Sequence, residues 1–529
     1  MRYDAVVIGA GVSGLAAALT LAREGRRTAL IERATHVGPL LRRFRREGLW
    51  CDSGLHYLGG FTPDGSLGPV LRYLGLDTAL DLLPMRHEGF DLLSVKEGEA
   101  VSIPCGRDAL REALASQFPN DRRVVEAYVE RVFSIYHAAP FLNLNVDPDA
   151  YDPGPDTYQS TETVLRGLGA SETLLRTLGL HGYCLHGAHV NEAPFFLHAM
   201  VLGSFYESAS LPARGGDAMV DAFEARLAEA GVDVLTGRTV TQLDLDEHRR
   251  VRGVRTQGRE GDELVLECDA CVATLHPRQV MALLPPEARR KSYGRRVERL
   301  EDTFSPFALY LEVEQIPDRV KRSNFYFLES GKQEEQKFTG GTPVPPRGLH
   351  HLAVMAGDWG NAPEERKTLC VLTQAWENQT GGACRFGGES FCRELPESFL
   401  LEAGNPALQQ QGNATRQTAY EAFKHEWTER TLDHLFRHFP ELRGRCRVVE
   451  AATPCTFERY TGHPGGAIYG AKHSVVTGEV GQLGPVHGLS LAGQSVAMPG
   501  VMGALISGML AASFITGRQS LWEHMCKYR

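Results

Sequence analysis

Asp4-Ala-Val-Val-Ile8-Gly9-Ala10-Gly11-Val12-Ser13-Gly14 is the stretch that decides the fold. The apolar run that ends at Ile8 is typical of a parallel strand buried on both faces. Small apolar residues from Ser13 to Glu24 predict a helix, and Thr28–Glu32 predicts a second buried strand. The chain therefore opens with a predicted βαβ unit.

The glycines of this unit have the spacing G-x-G-x-x-G. Gly9 permits the tight turn after the strand, Gly11 lets the backbone approach a pyrophosphate, and Gly14 allows close helix–strand packing. The free N–H groups of the first helical turn, at Val12 and Ser13, favour phosphate. The pattern predicts a dinucleotide at this helix N-terminus.

The composition is that of an ordinary globular protein, with 529 residues, 43% hydrophobic and 23% charged. It excludes disorder, collagen and coiled coil as the main organisation. The net charge of -9 argues against nucleic acid as a partner, because phosphate backbones require concentrated positive charge. Eleven cysteines are too few for a disulfide scaffold, so we expect reduced thiols and a cytoplasmic protein.

The end of the second strand distinguishes FAD from NAD. Glu32 is placed to accept hydrogen bonds from ribose hydroxyls. Glu32-Arg33 followed by Gly38 resembles the FAD proteins of the glutathione-reductase and amine-oxidase superfamily. These proteins have Gly-Gly where this chain has Gly38-Pro39. The resemblance implies that FAD is the cofactor.

The C-terminal segment Gly488–Gly517 carries no charged residue. Its glycines and its Pro-Gly break favour a buried strand, turn and helix over a membrane span. In the same superfamily such a segment returns to the first domain. The resemblance implies that Gly493 and Gln494 lie by the pyrophosphate and ribityl chain. It also implies that the flavin pyrimidine edge faces the backbone at Gly500, Val501 and Met502.

A middle segment resembles the second part of a superfamily FAD domain. It comprises Pro212–Gly216, an amphipathic helix over 217–230 and strands that follow, including one at 239–245. The resemblance places the backbone of Val240 at the adenine.

The string Trp50-Cys-Asp-Ser-Gly54-Leu55-His56-Tyr57-Leu-Gly59 carries a narrower resemblance. It is similar to the D-x-G-x-H-Y-x-G segment of the FAD-dependent phytoene desaturase, carotenoid isomerase and retinol saturase family. The tail from Gly488 is most similar to the retinol saturase and carotenoid isomerase branch. The resemblance adds Gly54, Leu55 and His56 to the expected cofactor site.

We therefore predict an α/β protein with a Rossmann-like FAD-binding domain and an inserted α+β substrate domain. The expected FAD domain is discontinuous, with segments 1–95, 208–285 and 450–529. The expected substrate domain comprises 96–207 and 286–449. Polar stretches near 331–349 and 378–417 have the composition of surface insertions.

The resemblance implies a flavin oxidoreductase that saturates or desaturates carbon–carbon double bonds of a polyene or isoprenoid lipid. An isomerase, an amine-oxidase-like enzyme and a flavin-binding lipid carrier stay open as alternatives. His56 is the candidate catalytic residue, as a proton donor or as a residue that shapes the pocket. The electron donor or acceptor is not identified by any motif.

An apolar substrate requires an apolar tunnel, for which Pro194–Met200, Phe205 and Tyr206 are candidates. The basic run Leu40–Arg46 leaves peripheral contact with a membrane surface open, because mixed basic and apolar residues bind anionic head groups. His181, His186 and His189 lack a completing carboxylate or cysteine pattern, so we expect no metal site.

Overall fold

A computed structural model of the chain describes residues 1–96, 99–148, 151–289, 291–328, 351–357, 367–376, 385–386, 389–390 and 411–529. The strands are β1 (Arg2–Ile8), β2 (Thr28–Ile31), β3 (Phe44–Arg46), β4 (Leu49–Cys51), β5 (Leu58–Gly59), β6 (Leu82–Pro84), β7 (Asp91–Lys96), β8 (Glu99–Ile103), β9 (Ala209–Pro212), β10 (Asp233–Leu235), β11 (Arg238–Leu245), β12 (Val251–Gly258), β13 (Glu263–Ala273), β14 (Ser305–Val313), β15 (Asn324–Leu328), β16 (His351–Gly357), β17 (Lys367–Trp376), β18 (Arg385–Phe386), β19 (Glu389–Ser390), β20 (Cys446–Ala452) and β21 (Leu489–Leu491). The α-helices are α1 (Val12–Arg23), α2 (Gly68–Leu74), α3 (Arg107–Gln117), α4 (Arg122–Ala138), α5 (Thr161–Gly167), α6 (Glu172–His186), α7 (Phe195–Glu207), α8 (Gly216–Glu229), α9 (Pro277–Leu283), α10 (Lys291–Glu298), α11 (Gln411–His438), α12 (Pro454–Thr461), α13 (Gly500–Thr516) and α14 (Arg518–Met525).

The first sheet has the order β10-β2-β1-β13-β12-β11, and β21 pairs with β13. Strands β10, β2, β1, β13 and β21 are parallel, whereas β12 and β11 form an antiparallel extension. All four residues of β2 and four of the seven residues of β1 form fully buried runs, as expected for strands covered on both faces. The predicted βαβ unit is confirmed.

The second sheet has the order β20-β14-β17-β16-β15-β7-β8. Its central strand β14 alternates, because successive strand residues point to opposite faces. Phe307, Leu309 and Leu311 pack with Trp427 of the long helix α11. Tyr310 of β14 packs on the opposite face, in a separate cluster with neighbouring strands. One face of this sheet is thus covered by a helix, and the other faces the interior.

Helices α3, α4, α6 and α7 pack against one another beside the edge of the second sheet. The apolar segment after Pro194 is helical as expected, but the helix ends at Glu207. Ala209–Pro212 instead forms β9, because its backbone pairs with β5 and β6. The apolar and aromatic residues of Glu192–Leu211 predict one helix, and this prediction is wrong for the last residues of the segment.

The C-terminal segment forms strand β21 and helix α13, as predicted from its Pro-Gly break. Helix α13 packs along α1, and a Cβ on Gly508 would lie 2.1 Å from the carbonyl oxygen of Ser13. None of the helices in the described ranges combines the length and apolar character needed to cross a bilayer.

The expected domain boundaries at 95 and 450 lie within β7 and β20, and both strands belong to the second sheet. We propose that the substrate domain begins near residue 91 and extends to about residue 452 on this side. The expected insertion at 331–349 lies outside the described residues. So does most of the one at 378–417, whose last residues, from Gln411, belong to α11.

Candidate functional site

The turn between β1 and α1 is built by three glycines with different surroundings. Gly9 has a φ of 95°, in the region that favours glycine. A Cβ on Gly14 would lie 1.8 Å from the carbonyl oxygen of Gly9, so the helix–strand contact requires glycine there. A Cβ on Gly11 would meet nothing within 4 Å. The space beside Gly11 therefore belongs to a cradle rather than to the protein core.

Glu32 lies next to this cradle at the end of β2. Its Oε2 accepts a hydrogen bond of 2.8 Å from the N–H of Ala10, and its Oε1 accepts one of 2.8 Å from Ala34. These bonds fix a buried carboxylate beside the cradle. Each carboxylate oxygen keeps a second lone pair for a ligand hydroxyl.

One continuous cavity of about 1450 Å³ begins at this cradle and extends to the second sheet. Pockets for one small molecule usually have about 300–1,000 Å³, so this cavity has room for a cofactor and a substrate. Most of the residues predicted from the sequence to bind the cofactor line this cavity: Gly9, Gly11, Val12, Ser13, Glu32, Arg33, Gly54, His56, Val240, Gly493, Gln494, Gly500 and Val501.

Four of the predicted cofactor-binding residues lie behind the cavity wall. Gly14 allows the packing described above, and Leu55 and Met502 are buried in the core. Gly38 has a φ of 64°, and a Cβ there would lie 2.4 Å from Cγ2 of Val220 in α8. These residues support the cradle through packing, and their contact with a cofactor stays a prediction.

The C-terminal segment brings a second group of the predicted cofactor-binding residues to the cavity. The N–H of Gly493 donates a hydrogen bond of 3.0 Å to Oγ of Ser507, which ties the end of β21 to helix α13. Gly500 has a φ of 81° at the N-terminus of α13, and a Cβ there would meet nothing within 4 Å. The helix N-terminus is thus open to the cavity, where its dipole favours negative charge.

The residues present fit FAD. Open space beside Gly11 and Gly500, the carboxylate of Glu32 and two helix N-termini line one continuous wall. Val240 follows the same wall, beside an irregularity in the pairing of β11 with β12. Strand irregularities of this kind are common next to binding sites.

His56 lies on the cavity wall beside Gly54. Burial lowers the pKa of its imidazole to about 4, so the ring is neutral at neutral pH. In the described part of the chain, its ring makes no hydrogen bond. Its catalytic role stays a prediction, and the lowered pKa favours the pocket-shaping role over proton donation.

The other half of the cavity is lined by the inner face of the second sheet. Tyr310, Met355 and Leu372 come from β14, β16 and β17, and Phe44 lies against them. Phe205 of α7 lines the wall near His56. The cavity wall in the described ranges does not include Pro194–Met200, which packs with the neighbouring helices. This half of the cavity is apolar and aromatic.

Two tyrosines of this wall were not assigned a role from the sequence. Tyr57 follows His56, and Tyr326 lies on β15. Their hydroxyl oxygens are 3.0 Å apart, and behind them lies the buried carboxylate of Asp91. In the sequence, only the position of Tyr57 next to the candidate residue His56 pointed to this cluster. Tyr326 and Asp91 come from distant parts of the chain.

The basic run Leu40–Arg46 is compensated within the protein. Arg42 forms salt bridges with Asp217, Asp221 and Glu224, Arg43 forms one with Asp217, and Arg46 forms one with Glu450. The guanidinium of Arg45 lies 5.7 Å from the ring centre of Trp50. Salt bridges therefore neutralise much of the charge through which this run could have bound anionic lipid.

Comparison with known proteins identifies the family of this chain. Residues 12–379 match the model of the flavin containing amine oxidoreductase family. All-trans-retinol 13,14-reductase from Rattus norvegicus is 26% identical over 98% of this chain and 86% of its own length. A 4,4'-diapophytoene desaturase from Staphylococcus aureus (strain bovine RF122 / ET3-1) is 21% identical over 74% of this chain and 79% of its own.

Among solved structures, an oxidoreductase from Methanosarcina mazei has a TM-score of 0.62 at 16% identity and covers 96% of this chain and 99% of its own. At that identity the likeness shows the fold alone. The predicted Rossmann-like fold and the family resemblance are confirmed. The family match covers more than half of the chain and includes the helix of the dinucleotide cradle. The chain therefore belongs to the flavin-containing amine oxidoreductase family, and it is an FAD-dependent oxidoreductase.

Proposed function

We propose that the protein catalyses hydride transfer between FAD and a carbon–carbon double bond of a polyene or isoprenoid lipid. One observation carries this proposal: the similarity to all-trans-retinol 13,14-reductase extends over 98% of the chain. It therefore includes both the FAD half and the substrate half of the cavity. The similarity to a diapophytoene desaturase points to the same class of apolar substrate.

The cavity has the character that such a substrate requires. Its deep walls are aromatic and aliphatic, so they would hold a polyene through burial of apolar surface. A polar group of Arg46, Lys424 and Glu450 lies at another part of the wall. Glu450 accepts hydrogen bonds of 3.0 Å from Nζ of Lys424 and 2.9 Å from Nε of Arg46.

We also propose which residues hold FAD. The first turn of α1 would bind the pyrophosphate, Glu32 the ribose and the backbone at Val240 the adenine. Gly493 and the N-terminus of α13 would lie along the ribityl chain and the flavin ring. When bound, the flavin would supply or accept the hydride. The chain itself would orient the substrate and exclude water.

Amine oxidation is the second candidate, and the family description favours it. The residue after the tail glycine is Gln494, whose side chain is uncharged. The amide of Gln494 donates a hydrogen bond of 3.3 Å to the carbonyl oxygen of Ile468. The apolar cavity wall and this amide both favour the polyene over a cationic amine.

Single-turnover mass spectrometry tests the proposal. The FAD-loaded protein is reduced without oxygen and mixed with all-trans-retinol, and the oxidised protein is mixed with 4,4'-diapophytoene. Gain or loss of two hydrogens, together with the matching change in flavin absorbance, would support the proposal. An unchanged mass with altered double-bond geometry would indicate an isomerase instead. Peroxide formed from a panel of amines, with no polyene product, would contradict it.

The route of an apolar substrate requires contact with a lipid surface, and we propose that this contact is peripheral. Since salt bridges compensate the Arg42–Arg46 run, the contact would depend more on exposed apolar side chains such as Trp50 than on charge. Flotation with anionic and neutral vesicles at low and high salt measures this. Binding that salt abolishes would contradict the apolar contact.

A further inference from the structure

A chain of buried polar side chains begins at the cavity wall and runs into the protein. At its outer end, the hydroxyls of Tyr326 and Tyr57 are 3.0 Å apart, and both tyrosines line the cavity. The hydroxyl of Tyr57 donates a hydrogen bond of 2.9 Å to Oδ2 of Asp91. Since the single proton of Tyr57 faces Asp91, the hydroxyl of Tyr326 is the donor to Tyr57.

Asp91 is completely buried, and both of its oxygens accept hydrogen bonds. Nε2 of His181 donates to Oδ2 over 2.8 Å, and Nδ2 of Asn324 donates to Oδ1 over 2.8 Å. With Tyr57, three side chains stabilise this carboxylate. A carboxylate buried away from water is stable only when hydrogen-bond donors surround it, and these three side chains are such donors.

The hydrogen bonds behind Asp91 all point toward it. The N–H of Ala188 donates to Nδ1 of His186, so Nε2 of His186 carries the proton and donates to Nδ1 of His198 over 3.4 Å. Nε2 of His198 then donates to the hydroxyl of Tyr128 over 2.9 Å. Burial lowers the pKa of His198 to about 3, which keeps its ring neutral as this arrangement requires.

Tyr206 connects Tyr128, at the end of this series of hydrogen bonds, to His181. The hydroxyl of Tyr128 donates to that of Tyr206 over 3.1 Å, and Tyr206 donates to Nδ1 of His181 over 3.3 Å. His181 therefore presents its Nε2 proton to Asp91. Every donor in the series, from His186 inward and from Tyr326 inward, is directed at one carboxylate.

We propose that Tyr326, Tyr57 and Asp91 form a proton relay that exchanges one proton between a substrate carbon and the Asp91 carboxylate. This inference rests on the proposed function. Tyr326 and Tyr57 are the groups that meet the substrate side of the cavity. Asp91 is the site where the proton is held, and His181 and Asn324 are positioning residues.

The relay balances the proposed reaction in both directions. In desaturation, the bound flavin would take up the hydride from one substrate carbon. Tyr326 accepts the proton that leaves the neighbouring carbon. Tyr326 passes its own proton to Tyr57, and Tyr57 passes its proton to Asp91. In saturation, the bound flavin would supply the hydride, and the proton held by Asp91 passes through Tyr57 and Tyr326 to the other carbon of the double bond. Between turnovers Asp91 exchanges its proton with water through the emptied cavity.

The resting hydrogen bonds are already aligned for proton transfer toward Asp91, because each donor points at the next acceptor. Burial and the neighbouring carboxylate raise the pKa of Tyr57 well above 10. Both tyrosines are therefore neutral at rest, which is the state a relay needs. His56 lies on the same wall but has no partner in the described chain through which a proton would leave.

The test compares Tyr326→Phe and Tyr57→Phe with Tyr73→Phe. Each variant keeps the aromatic ring and removes one hydroxyl. Tyr73 is a matched control because it is also fully buried, and its hydroxyl donates to the carboxylate of Glu24 over 2.9 Å, away from the cavity. All three are loaded with FAD and assayed in single turnovers with all-trans-retinol and 4,4'-diapophytoene.

The relay predicts that the two cavity variants lose about 100-fold or more in the rate of flavin turnover, the usual size of proton-transfer catalysis. Tyr73→Phe should stay within about twofold of wild type. FAD content and the Kd for a fully saturated analogue, measured from the shift in flavin absorbance, should be unchanged in all three. Cavity variants as fast as Tyr73→Phe would overturn the relay.

Analogue binding and wild-type turnover distinguish a failed relay from a failed function. If the cavity variants lose analogue binding in proportion to turnover, the hydroxyls only bind substrate, and the relay is wrong. If wild-type protein converts neither polyene, the proposed function fails and the relay fails with it. Nuclear magnetic resonance adds an independent readout: with 13C at the phenol carbon, Tyr326→Phe should shift the signal of Tyr57, and Tyr73→Phe should not.

Discussion

Gly11 and Gly14, two glycines with different roles in the first turn of α1, offer a sharp test of the dinucleotide cradle. Both fit the G-x-G-x-x-G spacing. A Cβ on Gly11 would meet nothing within 4 Å, whereas a Cβ on Gly14 would lie 1.8 Å from the carbonyl oxygen of Gly9. The same substitution by alanine should therefore have opposite consequences at the two positions.

For Gly11→Ala we expect little change in the fold and a large loss of FAD. The added methyl enters empty space, so the free energy of unfolding of the FAD-free protein should change by no more than about 0.5 kcal/mol. The methyl would hold the pyrophosphate away from the helix N-terminus. Loss of one hydrogen bond to a charged group is worth about 1.5–3 kcal/mol, which weakens the Kd for FAD by roughly 10- to 150-fold.

For Gly14→Ala we expect a loss of stability instead. The methyl requires the helix and the turn to separate by about 1 Å or more, and overpacking of this kind costs about 1–3 kcal/mol. Urea unfolding of the FAD-free proteins and titration of each with FAD, followed by flavin fluorescence, give both quantities. A Gly11→Ala protein that binds FAD as tightly as wild type would refute the placement of the pyrophosphate.

Buried carboxylate and imidazole side chains of the protein give three more predictions. Glu32→Ala should lower the free energy of unfolding by about 1–3 kcal/mol and reduce FAD retention, because it leaves the buried N–H of Ala10 and the part-buried N–H of Ala34 without their acceptor. A Glu32→Gln protein with a larger loss in urea unfolding would contradict this. His56→Ala should keep FAD and raise the KM for the polyene more than it lowers kcat. The pKa of His56 is lowered to about 4, so its ring is neutral and shapes the pocket. A kcat loss of about 100-fold with unchanged KM would instead make His56 a proton donor. Burial lowers the pKa of His198 to about 3 and of His463 to about 4, so stability is complete above the unfolded pKa of 6.5 and is lost as the pH falls below it, by about 1.4 kcal/mol per pH unit for each histidine. Burial lowers the pKa of His56 and of His186 as well, and both add to this loss, whereas the pKa of His473 is raised, so that His473 adds stability as the pH falls toward 6.5. Urea unfolding at pH 7.5 and pH 5 measures the net difference, and equal stability at both would count against these shifts.

The cofactor half of the site was predictable because its signals are local. Gly9, Gly11 and Gly14 lie within six residues, and their roles follow from the turn and from the helix that begins there. Buried parallel strands give continuous apolar runs, so β1 and β2 were recognised from composition alone. The C-terminal strand and helix were recognised from an uncharged segment with a Pro-Gly break.

The strands of the second sheet were not predicted, because the central strand β14 lacks the alternation that identifies a strand with one exposed face. Strand β14 alternates between residues that pack on α11 and residues that face the cavity, and both sets are apolar. Alternation of hydrophobic and polar residues, which identifies a half-exposed strand, is therefore missing. The sequence therefore led us to place the substrate tunnel at residues of α7. Of those predicted tunnel residues, Phe205 alone lines the cavity in the described part of the chain.

The amino-acid sequence by itself determined the Rossmann-like half of the protein and its cofactor, because a phosphate-binding turn is specified by residues adjacent in the chain. Only the tertiary structure decided how Tyr57, Asp91, His181 and Tyr326 meet. These residues come from a loop, two strands and a helix, and no spacing links them. Hydrogen bonds between such elements depend on the packing of the whole core, and a local sequence pattern does not predict that packing.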